Sequence, residues 1–231
     1  MSQYGFSTWL GGSPAMTNRK GRALMASVAL LACAHVAHAQ GAAALGNALA
    51  SQQMRPYLQV KPVPGDTDVV RAFFSPSCTY SRSYFQFFKN LGATLPAGRT
   101  FAFTPLVNKG DGVSYALSFY AVQRYYPVYL NNFVEASLVG VQDKGLSTRN
   151  WVGIERIGRA AHVPVSVPQL VQQHKTELIG VVQHAIDVQQ GLAITNTPSV
   201  SVAGTYIVTP EFTNGDAEMF STLVNAVISM P

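Results

Sequence analysis

Cysteine and charged residues are scarce in this chain of 231 residues. Only Cys33 and Cys78 occur, and charged residues make up 12% of the sequence. Two cysteines are too few for a disulfide scaffold or for a zinc site built from cysteines. The hydrophobic content of 48% indicates a folded core and argues against disorder.

Signatures of several enzyme classes are also missing. The sequence has no Walker A, G-x-G-x-x-G or G-x-S-x-G motif, which excludes the usual phosphate, dinucleotide and serine-hydrolase sites. His162, His174 and His184 fit no ligand spacing such as H-E-x-x-H. We therefore expect neither a metal ion nor a cofactor.

Residues 1–39 have the pattern of a secretory signal peptide. A basic stretch at 19–22 precedes an apolar run at 23–34, and Ala37-His38-Ala39 forms an A-x-A cleavage motif. The apolar run is far shorter than the ~20 residues that span a bilayer, so we do not expect an integral membrane protein. We predict export with cleavage after Ala39, and Met16 is an alternative start.

A lipoprotein signal is the competing interpretation. Leu30-Leu31-Ala32-Cys33 resembles a lipobox, and Cys33 would then be acylated at the mature N-terminus.

The net charge of +5 comes mostly from the basic stretch at 19–22. From Gln40 onward, thirteen basic residues face eleven acidic ones, and they do not cluster. We therefore expect no nucleic-acid partner.

Apolar patterns predict an α/β fold interrupted by a helical block. Residues 40–56 have no sustained apolar stripe and are expected to form a flexible lead-in. Strands are predicted at 57–60, 69–74, 100–104, 198–202 and 205–208, with a turn at Ala203-Gly204. Helices are predicted from Cys78 to about Leu95, at 113–125, 128–141, 148–161, 166–173 and 175–190, and at 216–230.

Aromatic residues crowd the start of the helical block. Their helical spacing favours a place in the core, and the alternative is an aromatic surface for unfolded chains. They are Tyr115, Phe119, Tyr120, Tyr125, Tyr126 and Tyr129.

Cys78 is the candidate reactive residue. It follows the buried strand at 69–74 and begins a helix, where free N–H groups and the positive end of the helix dipole favour a thiolate. Such a sulfur is a nucleophile. The alternative is that Cys78 is a small buried hydrophobe.

The order of these features resembles the DsbA-like thiol–disulfide oxidoreductases, a family with the thioredoxin fold. The resemblance covers about 57–231 and is carried by Lys61-Pro62-Val63, Phe73-Phe74-Ser75, Cys78, Thr197-Pro198 and Ala203-Gly204-Thr205-Tyr206. It implies an α/β thioredoxin-like domain formed by 57–107 and 195–231, with a helical domain inserted at 108–194.

The resemblance also implies a site for extended protein or peptide substrates. The peptide bond before Pro198 would be cis, which frees the flanking backbone of Thr197 and Ser199 for strand addition. Thr79 and Tyr80, next to the cysteine, would contact the substrate as well.

Three positions depart from the family pattern. The second active-site cysteine falls on Ser81, the usual histidine between the cysteines on Tyr80, and the buried acidic residue beneath the site on Ala72. A serine cannot close a disulfide, so Cys78 and Ser81 would form a site with one thiol. A mixed disulfide on Cys78 would need glutathione or a partner thiol protein to release it.

Two functions are compatible with this sequence. The first is an exported thiol–disulfide exchange protein that acts through Cys78 alone. The alternative is a redox-inactive peptide-binding or assembly factor for an envelope secretion or conjugation apparatus. Retention of Cys78 and Thr197-Pro198 favours the first, whereas Ser81, Tyr80 and Ala72 favour the second.

Overall fold

The computed structural model describes residues 55–108 and 110–230. The predicted signal peptide at 1–39, its alternative acylation site Cys33 and residues 40–54 of the predicted lead-in lie outside the described residues.

Five strands in the described part of the chain form one mixed sheet, in the order β1-β5-β4-β2-β3. They are β1 (Leu58–Gln59), β2 (Val69–Phe74), β3 (Thr100–Pro105), β4 (Ser199–Val202) and β5 (Tyr206–Val208). Strands β2 and β3 are parallel, while β4 is antiparallel to both β2 and β5. The mostly apolar β2 lies inside the sheet, as expected for a strand covered on both faces.

The described ranges contain eight α-helices. They are α1 (Thr79–Ser83), α2 (Phe85–Thr94), α3 (Gly112–Tyr125), α4 (Leu130–Lys144), α5 (Trp151–Ala160), α6 (Val167–Gln173), α7 (Lys175–Gly191) and α8 (Ala217–Ile228). Short 3₁₀ turns lie at Pro127–Tyr129 and Pro210–Thr213. The predicted α/β fold with a helical insertion is confirmed, whereas the domain boundaries at 107/108 and 194/195 stay a prediction.

The helix predicted from Cys78 to Leu95 is divided at Tyr84. This residue has φ −91° and ψ 0°, which separates α1 from α2. Its hydroxyl donates to the carbonyl of Gly215 at 3.1 Å, and its ring packs edge-on against Phe220 with centroids 4.9 Å apart. The helix is therefore interrupted at the residue that packs against the C-terminal part of the chain.

The predicted turn at Ala203-Gly204 joins β4 to β5. Gly204 has φ +61°, and a Cβ on it would lie 2.9 Å from the Cβ of Asp66 and 3.0 Å from the carbonyl oxygen of Val63. The carbonyl of Gly204 accepts the N–H of Val63 at 2.9 Å. This close approach requires glycine and fastens the segment before β2 to the hairpin.

Aromatic packing connects the sheet to the helical block. Phe74 of β2 contacts the rings of Phe103, Tyr115 and Phe119, with centroids 5.8 to 6.2 Å apart. Tyr115, Phe119 and Tyr120 are buried, so their expected place in the core is confirmed. The other three aromatics, Tyr125, Tyr126 and Tyr129, are half-buried and pack against the same core.

A buried ion pair lies at the edge of this core. Arg71 of β2 donates to both carboxylate oxygens of Asp66, at 2.6 and 3.0 Å, and to the hydroxyl of Thr104 at 3.0 Å. The side chains of Arg71 and Asp66 are 15% and 6% exposed. Asp66 thus neutralises the charge of Arg71, the only cation in β2.

No helix among the described residues has both the length and the apolar character needed to cross a membrane.

Candidate functional site

Cys78 caps the N-terminus of α1. Its backbone is extended, with φ −87° and ψ 117°, and its Sγ accepts the N–H of Ser81 at 3.4 Å. The N–H of Cys78 donates to the carbonyl of Ser75 at 3.1 Å, which holds the loop between β2 and α1 in a tight turn. The cysteine residue is half-buried.

Thr197 lies directly beside the thiol, although 119 positions separate the two residues in the sequence. The Cys78 thiol donates to the carbonyl oxygen of Thr197 with 3.1 Å between Sγ and oxygen. The Thr197–Pro198 peptide bond is cis, as expected from the resemblance. The structure thus places Cys78 and Thr197-Pro198 at one site.

A groove of about 380 Å³ opens next to this pair. Tyr80, Thr197 and Pro198 line it on the side of the thiol, and Tyr80 is 59% exposed. Pro210 and Glu211, which follow β5, line it as well. The groove has the size of a site for a few side chains of an extended peptide.

Thr79 and Ser199 occupy different surroundings from the groove residues. Thr79 is exposed at the start of α1. Ser199 is 2% exposed, lies opposite Phe73 in the ladder between β2 and β4, and donates its hydroxyl to the carbonyl of Asn196 at 2.7 Å. Of the five residues predicted to bind substrate, Tyr80, Thr197 and Pro198 line the groove, whereas Ser199 is enclosed by the sheet.

Ser81 is buried behind the thiol, at 1% exposure. Its Oγ accepts the N–H of Ser75 at 3.2 Å, and its own N–H donates to the sulfur of Cys78. The hydroxyl therefore holds the loop that precedes the cysteine. It offers no group that could form a disulfide with Cys78.

A buried carboxylate reaches the same loop from the start of α3. The hydroxyl of Ser75 donates to Asp111, which is 1% exposed, and it also lies 2.9 Å from the hydroxyl of Ser77. Asn108 donates to Asp111 at 3.4 Å. Ala72, the position at which the family pattern has an acidic residue, is fully buried in β2.

Helix α4 supplies a second support that the sequence did not reveal. The side-chain amide of Gln142 donates to the carbonyls of Pro76 at 2.9 Å and Cys78 at 3.0 Å. Asp143 forms a bidentate ion pair with Arg82 of α1, at 2.5 and 2.9 Å, and the guanidinium lowers the pKa of the Asp143 carboxyl. A single amide or acid within a helix carries no recognisable motif, and only the packing of α4 against α1 gives these two residues a role.

The described residues contain no group of three or more histidine, cysteine, aspartate or glutamate side chains placed to hold a metal ion.

The strand order, the helical insertion and a cysteine at the first helix after β2 define a DsbA-like thioredoxin fold. Solved structures with this fold include DsbA from Xylella fastidiosa, with a TM-score of 0.63 and 18% identity over 75% of this chain and 93% of that chain. DsbA from Pseudomonas aeruginosa gives a TM-score of 0.65 and 16% identity over 75% of this chain and 91% of that one.

A third similar structure contains a ligand. It is a variant of Proteus mirabilis DsbA in complex with a non-covalently bound peptide, with a TM-score of 0.61 and 17% identity over 77% of this chain and 97% of that chain. No protein-family model matches this sequence, and no curated protein gives a significant match. The resemblance stated from the sequence is confirmed at the level of the fold.

Proposed function

We propose that this protein carries out thiol–disulfide exchange on extended protein substrates through Cys78 alone. One observation carries the proposal: the Cys78 sulfur caps α1 and contacts the Thr197 carbonyl beside an open groove. A nucleophilic side chain next to an open groove is the arrangement that a peptide-modifying site needs.

The proposed reaction is a single exchange. The Cys78 thiolate attacks one sulfur of a substrate disulfide, a new S–S bond forms to Cys78, and the other substrate sulfur leaves as a thiolate. A thiolate from solution, such as that of glutathione or of a partner protein, then attacks the substrate sulfur of the mixed disulfide. A new S–S bond joins the attacking sulfur to the substrate, the bond to Cys78 breaks, and Cys78 leaves as a thiolate. Since Ser81 has no thiol, Cys78 cannot form a disulfide with residue 81.

Substrate binding is proposed to use the groove beside Thr197. The similar Proteus mirabilis DsbA variant binds a peptide non-covalently. We infer that an extended substrate lies along the 196–198 backbone, with Thr79 and Tyr80 at its side. Ser199 would support this backbone from within the sheet.

The proposed location is the periplasm, after removal of residues 1–39. Acylation at Cys33 is the alternative form of export.

A redox-inactive binding protein is the second candidate. The observation that favours it is the Ser81 hydroxyl, which accepts the Ser75 N–H and so gives position 81 a structural use independent of redox chemistry. Such a protein would keep the groove and act as an assembly factor for an envelope secretion or conjugation apparatus.

A peptide carrying an activated disulfide separates the two candidates. If exchange is the function, the protein should form a covalent adduct with the peptide, detected by intact mass, that persists until glutathione is added. Cys78→Ser should form no adduct, and Cys33→Ser should react like the wild type. A wild-type protein that binds the peptide but forms no adduct would support the second candidate instead.

A further inference from the structure

Glu211 is the charged residue of the groove beside the thiol. Among the described residues that line this groove, it is the one with a charged side chain, and it is exposed. Its carboxylate is therefore a formal charge that a substrate in the groove meets directly.

Two polar neighbours hold this carboxylate in place. Asn196 donates to one oxygen at 3.3 Å, and the hydroxyl of Thr209 donates to the other at 3.2 Å. Both donors are neutral, so they orient the carboxylate and leave its charge in place. A fixed charge loses less side-chain entropy on pairing with a ligand than a mobile one.

The sequence around the groove adds no opposing charge. The chain contains no lysine or arginine after Lys175, whereas five acidic residues follow it. The groove is formed largely from this C-terminal part, at Asn196–Pro198 and Thr209–Gly215. The basic residue of α1, Arg82, is already paired with Asp143.

We propose that Glu211 determines substrate specificity, by favouring extended segments that carry lysine or arginine close to the reacting cysteine. The inference rests on the proposed exchange function, because it takes the groove as the place where the substrate lies. A cationic side chain in the groove meets an oriented carboxylate, whereas an acidic one meets like charge.

Three peptides of equal length test this specificity. Each carries a cysteine activated by thiopyridine, and the flanking positions hold lysine, glutamine or glutamate. At low ionic strength the lysine peptide should release thiopyridine about two- to fivefold faster than the glutamate peptide, with glutamine between them. The difference should shrink as salt is added, because exposed charges are screened.

Two variants localise the effect. Glu211→Gln should remove the difference between the peptides, while Glu135→Gln, the same change on the exposed face of α4, should preserve it. Equal rates for the three peptides with the wild type, or a preference that survives in Glu211→Gln, would overturn the assignment.

A binding measurement keeps this test independent of the exchange chemistry. The same peptides with serine in place of cysteine are titrated against the Cys78→Ser protein by fluorescence anisotropy. Tighter binding of the lysine peptide that is lost in Glu211→Gln supports the inference, whether or not thiopyridine is released. Absence of thiopyridine release would reject the exchange function and leave the inference standing. Equal binding of the lysine and glutamate peptides would reject the inference.

Discussion

The sulfur of Cys78 lies between the N–H of Ser81, at 3.4 Å, and the carbonyl oxygen of Thr197, at 3.1 Å, and it donates to the latter. A donor from α1 and an acceptor from the loop before β4 thus fix the sulfur from two sides.

Ser81→Cys should give the site an internal disulfide. Residue 81 lies one helical turn from residue 78, and its backbone N–H already contacts the Cys78 sulfur. A second thiol there would attack a mixed disulfide at a high effective concentration, so adducts should clear without added glutathione. Non-reducing electrophoresis after acid quenching should show adducts with the wild type and none with Ser81→Cys or Cys78→Ser. Persistent adducts in Ser81→Cys would mean that the sulfurs cannot meet.

Ser81→Ala should destabilise the fold by about 1–2 kcal/mol, because the buried N–H of Ser75 loses its acceptor. Ser83→Ala is the matched control in the same helix, since Ser83 is exposed. It should change the stability by no more than about 0.5 kcal/mol. Urea unfolding of both variants measures the difference. Equal effects at the two positions would show that the Ser75–Ser81 bond contributes little.

Arg71→Ala should be far more destabilising than Arg82→Ala. Loss of Arg71 leaves the buried carboxylate of Asp66 without its cation, at a cost of about 3–5 kcal/mol. Arg82 pairs with Asp143 on the surface, where solvent screens both charges and the pair contributes little to stability. Thermal and urea unfolding check this order, and a similar loss in the two variants would contradict it.

Stability should fall at alkaline pH because of two buried tyrosines. Burial raises the pKa of Tyr120 to about 12 and raises the pKa of Tyr115 as well. The unfolded chain ionises its tyrosines near pH 10, so the stabilisation is complete below pH ~10 and is lost as the pH rises towards about 12.

Urea unfolding between pH 8 and 11 checks the tyrosine effect. Each of the two residues should contribute a slope of up to about 1.4 kcal/mol per pH unit above pH ~10. Tyr120→Phe should reduce the slope of the free energy of unfolding against pH. The free energy of unfolding of this variant at pH 8 serves as its reference and corrects for any change in packing. The same slope in the variant and the wild type would exclude Tyr120 as a source.

Secondary structure was predictable to within a few residues where strong local signals mark the ends. Strand β2 begins and ends as predicted, and α6 and α7 differ by one residue each from the predicted ranges. Helix α5 is shorter than predicted, because Asn150 caps its N-terminus by accepting the N–H of Gly153 at 2.7 Å. Because the capping residue is polar, it does not alter the spacing of apolar residues from which the helix was predicted.

The site was predictable only in part. Cys78 and Thr197-Pro198 could be paired because the order of segments resembles a known family. Asp111, Gln142 and Glu211 could not be found, since each is a single polar residue whose role depends on contacts across at least 15 positions of sequence. Contacts between residues far apart in the sequence produce no motif of fixed spacing that could be recognised.

The hydrogen bonds from Gln142 connect the helical insertion to the loop that carries Cys78. Gln142 and its neighbour Asp143 belong to the helical insertion, yet they bind the loop and the helix that carry Cys78. A trimmed version that retained the sheet and discarded α3 to α7 would lose the clamp on its own reactive loop. Substitutions at 142–143 therefore act directly on the loop and the helix that carry Cys78, although these two residues belong to the insertion.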